Sequence, residues 1–451
     1  MQEVKNLSHA TVSLSNGGKV VVLNTGAIIT PEAEAMLQAL HSRSIGGLTA
    51  HLEVLAEKGP EKFMSSYYVG YGHKSIGDCG STTLFIEGVS MLAAKAIQDW
   101  RLYSGQEAST RYIDFATQAF LNPLDSAAGE ALLEDWRTFY LHGLSVLVPD
   151  LMARFPKGPE EKDGVYEKAI KARAFDIMRG FLPAGAVTNL AWHGNLRQFA
   201  DKVLLLRHHP LREVQEIAQA IEQALLGALP SSFSDKRYEA TEDYTQIVMG
   251  EYYYRNPACP DFALTDDSTR TPILHTYQNV LSKRPPKTEL PKWIGDAGEI
   301  QFEFLLDFGS FRDLQRHRAI HQRMPLLGTE HGFAPWYFTE MPPSLLQEAK
   351  KMIEKQKKAL QALQTTPEIA QYYTAMGFQV ANRIKGDLPA LVYLAELRAT
   401  RFVHPTLRKR AIQIADALRE RFGNEGLVIH LDPDPDRFDV KRGEQDITRK
   451  E

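Results

Sequence analysis

Two cysteines, Cys79 and Cys259, are all that the 451 residues provide. A disulfide framework or a thiolate zinc site is therefore excluded, and both read as buried, reduced thiols. Positive charge is also short, with 52 Lys and Arg against 56 Asp and Glu and a formal net charge of −4. That balance excludes a protein that coats nucleic acid through a broad cationic field, while leaving room for a local cationic pocket. No run of apolar residues approaches the length needed to cross a bilayer, and residues 1–8 mix Glu, Lys and Asn without an apolar core. The expected location is cytoplasmic, with no membrane partner. Glycine and proline are scattered rather than massed, and 43% hydrophobic with 24% charged residues is an ordinary globular balance. The length suffices for two domains, each with its own core.

Periodicity supplies the elements. A strand is expected over 19–23, a helix from Pro31 with Glu32 and Glu34 in its first turn, a second over 48–58 and a third restarting at Pro60. A strand over 82–87 follows, with Leu84 and Ile86 on one side and Gly88 closing it. The spacing of Val89, Leu92, Ala93, Ala96, Ile97 and Trp100 predicts a helix over 89–103.

The same order returns later. Residues 300–307 alternate as a strand, Gly309 marks a turn, and a helix is expected over 311–323. Superposing the two helices sets Asp99-Trp100-Arg101 against Arg316-His317-Arg318. Each half then continues through a long connection into helices, 167–179 and 196–207 in one, 344–363 and 389–398 in the other. Leu206-Arg207 and Leu397-Arg398 end the second of each pair, and closing helices follow over 212–226 and 407–422. This parallel order predicts a duplication, with domains at 1–235 and 236–451, a seam between 231 and 261, and a polar tail from about 431 preceded by a strand over 427–431.

Chemistry concentrates in two places. The segment Ser104-Gly105-Gln106-Glu107-Ala108-Ser109-Thr110-Arg111-Tyr112 offers hydroxyls, an amide, a carboxylate and a guanidinium from one short loop. It suits a ligand that carries a phosphate and a hydrogen-bonding base. It equally suits a helix cap at Ser109 with a surface pair between Glu107 and Arg111. On the helix expected over 311–323, Arg312 and Arg316 share a face, which makes either an anion clamp or a solvated basic helix. His317 and His321 have the spacing of half a metal site, but no third ligand accompanies them, and no metal is expected.

The run Gly72-His73-x-Ser75, then a strand, a helix, and Arg101-x-x-Ser104-x-Gln106-Glu107-x-Ser109-x-Arg111-Tyr112, resembles the flavin-dependent thymidylate synthases. Their signature is Arg-His-Arg followed by a Ser-x-Asn/Gln-Glu-x-Ser-x-Arg-Tyr loop. Arg312-Asp313-Leu314-Gln315-Arg316-His317-Arg318 looks like the Arg-His-Arg part of it. Leu182-Pro183, Trp192, Asn195 and Leu206-Arg207 in the first half, and Arg383, Arg398 and His404 in the second, fall in the family's downstream order. The chain departs from the pattern in complementary ways. Asp99-Trp100 replaces Arg-His in the first half, the serine-arginine loop is missing from the second, Ile76-Gly77-Asp78-Cys79 lacks the flavin-holding Glu-His, and Asn189 is read as the counterpart of Arg383.

The resemblance implies an α+β fold of two tandem domains, each a small, mainly antiparallel sheet packed with several helices. It implies reductive methylation of dUMP, with NADPH reducing FAD and methylenetetrahydrofolate giving the carbon that the reduced flavin relays to the uracil. Because the family's sites lie between subunits of a homotetramer, the complementary losses imply one composite site and a homodimer acting as a pseudo-tetramer. Gln106, Glu107, Ser109, Arg111 and Arg207 of the first half would meet Arg316, Arg383 and Arg398 of the second around the nucleotide. His73, Asn195, His317, Arg318 and His404 would serve the cofactor, and Ser109, Arg111, Arg207 and Arg316 the chemistry. The same residues leave open the modification of another pyrimidine nucleotide, or a non-catalytic homologue that only binds nucleotide.

Overall fold

A computed structural model describes residues 9–23, 29–41, 47–70, 74–110, 113–159, 161–234 and 236–433. The chain forms two compact units, each with its own antiparallel sheet. The first unit takes Met1–Ser109 and Val187–Tyr252, and the second takes Thr110–Ala186 and Tyr253–Glu451. The units are thus interleaved along the chain. Residues 110–186, sequentially part of the first half, pack with the second.

The sheet of the first unit contains β1 (His9–Ser13), β2 (Lys19–Leu23), β3 (Ser81–Ser90), β4 (Ser104–Glu107) and β5 (Val187–Asn195), in the order β1-β2-β3-β5-β4. In β3, Thr82, Leu84 and Ile86 are buried and alternate with more exposed residues, the period-two pattern of a half-buried strand. Gly88 does not end this strand. It sits at φ +73° in a bulge between Glu87 and Val89, where a Cβ would come within 2.6 Å of the Gly18 Cα, and the strand runs on to Ser90. The helix Arg212–Ala228 covers β1 and β2 with Val214, Ile217, Ala218, Ile221 and Leu225, all buried on one stripe.

In the second unit the order is β6-β7-β9-β8, from β6 (Phe262–Asp267), β7 (Glu299–Asp307), β8 (His321–Gln322) and β9 (Gln379–Asp387). The helix Pro405–Phe422 covers β6 and β7 through Leu407, Ala411, Ile414, Leu418 and Phe422. The long helices of both halves belong to this unit: Ala127–Arg154 packs on Asp163–Met178 and on Pro343–Ala362. Two matching loops meet there with near two-fold symmetry. Ala184 N donates to the Thr374 carbonyl and Met376 N to that of Leu182, both at 2.9 Å, and a bridge joins Pro183 to Ala375. Trp136, Phe181, Tyr337, Tyr372 and Tyr373 form the buried aromatic centre, and the Trp136 indole N–H donates to the Tyr373 carbonyl at 3.0 Å.

Several expectations need correction. The helix expected over 89–103 is Met91–Gln98, and the one expected over 311–323 is Phe308–Leu314, so Gly309 is helical and residues 316–320 form a turn. The cause is local in both cases. Ser90 and Asp307 cap their helices by accepting from Ala93 N at 3.0 Å and Ser310 N at 2.7 Å, and a short edge strand follows each helix closely. Residues 427–431 form no strand. The long connection contains the 28-residue helix Ala127–Arg154, and β5 and β9, central in their sheets, were not expected at all. Both cysteines are free thiols, half-buried rather than buried.

The caps give the internal correspondence a structural register. Counted from Ser90 and Asp307, Asp99-Trp100-Arg101 falls level with Arg316-His317-Arg318, and Ser104-Gly105 with His321-Gln322. Ser104 and Gly105 pair with His193 and Trp192, while His321 and Gln322 pair with Lys385 and Ile384, the matching positions before the helix caps Asn195 and Asp387. In the same register Arg383, opposite Glu303, corresponds to Ala191, opposite Phe85, and not to Asn189.

Candidate functional site

In the first unit the loop residues divide. Gln106 and Ser109 are exposed, whereas the Glu107 carboxylate is buried against Lys95 Nζ at 2.6 Å and Gln98 Nε2 at 2.8 Å. With both partners fully enclosed, that pair is part of the core. Arg207 is ion-paired with Glu222 and Glu242, which in turn hold Arg237 at 3.0 Å and His208 at 2.6 Å. Burial pushes the Glu242 carboxyl up, but His208 and Arg207 outweigh it and hold it below the usual range. Asn195 is a helix cap: its Oδ1 accepts from Gln198 N at 2.8 Å, Gln198 returns the bond, and its Nδ2 donates to Asp78 at 3.3 Å. His73 and Arg111 lie outside the described residues.

The place matching the Arg-His-Arg turn is filled from within. Lys202 is buried, its ammonium donates to the Asp99 carbonyl at 2.9 Å, and it lies 5.7 Å from the centre of the Trp100 ring. Burial lowers its pKa to about 8, against the opposing charge of Asp99.

In the second unit the matching turn is cationic. Arg316 is 47% exposed and 3.9 Å from Asp313. His317 is buried, and its Nε2 accepts from Arg398 Nε at 2.7 Å. That bond requires the neutral ring, and burial with the Arg398 charge lowers the His317 pKa to about 3. Burial pushes Asp313 up, but Arg398, Arg316, Arg179 and Arg312 together hold it below its ordinary value. Four guanidinium groups thus act on Asp313; Arg179 is also answered by Asp176 and Asp307, and Arg316 is the exposed cation of the group, open to an anion. Arg318 is exposed.

Two other expected residues stand apart from that turn. Arg383, 48% exposed, donates to Glu303 at 2.7 Å and lies 4.9 Å from the Tyr254 ring centre. His404 is buried in a structural network, with Nδ1 at 2.8 Å from Thr406 Oγ1 and Nε2 at 3.2 Å from the Asp176 carbonyl, against the Trp336 ring at 4.6 Å. His317 and His321 do not share a helix; His321 is on edge strand β8, 3.7 Å from Glu299.

The sequence reading missed Arg179. It opens the turn Arg179–Phe181 at the end of a first-half helix, is half-buried, and its Nη2 donates to Ser310 Oγ at 3.3 Å while its charge acts on Asp313. The only signal was its place three residues before Leu182-Pro183; nothing in the sequence tied it to Asp313.

An α+β chain with two antiparallel sheets and one arginine-rich turn is what the geometry defines. Residues 27–231, just under half of the chain, match the model of the family described as thymidylate synthase complementing protein. That match supports a thymidylate synthase-like function at the level of the family. Relatives align over more of the chain. A UPF0159 protein of Chlamydia muridarum is 27% identical over 406 residues, covering 76% of each chain. Another of Chlamydia pneumoniae is 26% identical over 401 residues, 75% of this chain and 74% of its own. One of Thermoplasma acidophilum is 23% identical over 440 residues, 80% of this chain and 87% of its own. Each alignment is longer than either unit, so it extends through both.

Proposed function

We propose that this chain is a flavin-dependent enzyme of pyrimidine nucleotide methylation, converting dUMP to dTMP at a site to which both halves contribute and of which the chain has one rather than two. The observation that carries the reading is the position of Arg179. A first-half arginine stands with Asp313, Arg316 and Arg398 of the second half inside one compact unit.

The residues around this turn fit a flavin nucleotide. Arg316 offers a planar, permanently charged group for phosphate with Arg398 behind it, and His317 offers a neutral ring in a low-dielectric setting. When bound, FAD reduced by NADPH supplies the reducing chemistry and methylenetetrahydrofolate the carbon. The chain's own residues bind and orient. Arg316, the most exposed of the cluster, would take the nucleotide phosphate; Arg398 fixes the neutral tautomer of His317, and His317 with Arg318 would hold the cofactor. Gln106, Ser109 and Arg111 remain the proposed uracil-binding contribution, supplied when two chains assemble as a dimer.

Glu107 and Arg207 leave the proposed binding set because Lys95, Glu222 and Glu242 already satisfy them. The same loss favours a second reading, in which the substrate is another pyrimidine nucleotide whose contacts differ from those of dUMP. Release of tritium from C5-labelled dUMP in the presence of FAD, NADPH and methylenetetrahydrofolate separates the two. Release at rates of catalytic turnover supports methylation of dUMP, and none from a protein that holds flavin supports the other nucleotide.

A further inference from the structure

Beside the arginine-rich turn stands an aromatic ring that the reading so far does not use. Tyr393, in the helix Leu388–Arg398, is 45% exposed although it is a large ring on a helix whose inward residues Leu391, Val392, Leu394 and Ala395 are buried. Its edge meets the buried His317 ring, with centroids 6.0 Å apart and planes at 62°, and it lies within electrostatic range of the Arg398 guanidinium. Leu397, one turn on, is also exposed at 42%. The ring therefore packs against His317 on one side, is partly open to solvent on the other, and stands within reach of the Arg398 charge, which Arg316 also feels.

The first unit offers a contrast at the matching position. Counted from the caps Asn195 and Asp387, Tyr393 corresponds to Asp201, which faces Lys74 at 3.6 Å and Arg197 at 3.4 Å. An aromatic ring stands where the turn is cationic, and a carboxylate where the turn is filled by Lys202 and Trp100. An exposed aromatic face beside guanidinium groups is the pairing that recognises a flat heterocycle carrying a phosphate.

We propose that Tyr393 is the stacking platform for the isoalloxazine ring of the flavin. The assignment rests on the flavin-dependent reading above and adds to it the surface that orients the ring. It places the flavin on the His317 side of the cluster and leaves dUMP to Arg316. Stacking of a flat ring on one aromatic side chain is strong enough to be read directly in binding.

The test uses the full-length protein with FAD and dUMP titrated separately, by flavin fluorescence and by calorimetry. Tyr393→Phe keeps FAD affinity within about twofold. Tyr393→Leu weakens FAD at least about tenfold, raises the fluorescence of the flavin that still binds because the quenching ring is gone, and leaves dUMP affinity unchanged. Since the side chain is half exposed, both variants keep the fold, which the wild-type far-ultraviolet spectrum checks. Wild-type protein that binds FAD while Tyr393→Leu binds it equally well overturns the platform and spares the flavin-dependent reading. Equal loss of FAD and dUMP overturns the assignment of the ring to flavin. Wild-type protein that binds no flavin overturns both.

Discussion

The two units carry one plan with opposite polarity at its centre. In each, a strand runs into a capped helix, then a turn, then an edge strand beside the long central strand. In the first unit the turn reads Asp99-Trp100-Arg101 and is closed by the Lys202 ammonium, which donates to the Asp99 carbonyl and lies over the Trp100 ring. In the second it reads Arg316-His317-Arg318, and one carboxylate, Asp313, faces four guanidinium groups. An exposed guanidinium such as Arg316 marks a place for a ligand; charge satisfied internally marks stability. The scaffold alone does not distinguish them.

The sharpest way to break the comparison is to remove the charge on each side. Arg316→Ala is expected to lower kcat/KM for dUMP about a hundredfold, mostly through KM, as for losing a charged hydrogen-bonding group to the substrate phosphate, while Asp99→Ala stays within about threefold. Equal losses in a steady-state assay would mean that the first unit is as functional as the second.

Next in size is Glu107→Ala, which strands the buried Lys95 charge and is expected to cost about 3 kcal/mol of stability by denaturant unfolding. Glu107→Gln should recover part of it. A loss of nucleotide binding with no loss of stability would return Glu107 to the binding set.

A smaller effect concerns acid. The folded-state pKa of His317 is about 3, below its ordinary value near 6.5, so the unfolded chain binds a proton that the folded one refuses between those values. Stability is therefore fully present above pH 6.5 and falls with pH through that window, by up to about 1.4 kcal/mol per pH unit for this group. His209, with a pKa of about 3, and His404, far below its ordinary value, add slopes of the same sign. His317→Gln should flatten the acid limb by one proton in urea unfolding at pH 4.5 and 7. An unchanged slope would show that His317 is not neutral by burial.

Smallest of all is Lys202→Met. It removes a desolvated ammonium and leaves the Asp99 carbonyl without its donor, so these effects offset and the expected change is within about 1 kcal/mol. FAD affinity should be unaffected, and a loss of flavin binding would make the first unit's turn a ligand site after all.

Much of this was legible in the order of residues. Periodicity gave the strand over 19–23, the first helices and the closing helices of both units, because each presents one apolar stripe. The recurrence that predicted duplication survives in the hydrogen-bond register from Ser90 and Asp307 onward. Helix lengths near the motifs were overestimated, because apolar spacing continued beyond the point where Asp99 and Arg316 turn the chain toward an edge strand. The central strands β5 and β9 escaped because polar residues such as His193 and Lys385 interrupt their apolar pattern.

The sequence by itself determined the kinds of chemistry available: two thiols too few for a framework, a slight negative charge, one Arg-His-Arg run and one serine-arginine loop. Which arginines act together was decided only in three dimensions. Arg179 joins Asp313 from a segment far away in the chain, and Arg207 is drawn away by Glu222 and Glu242 on neighbouring helices. Local sequence fixes a side chain's charge, but its partners depend on how the helices pack, and the partners decide whether that charge is spent inside the protein or left for a ligand.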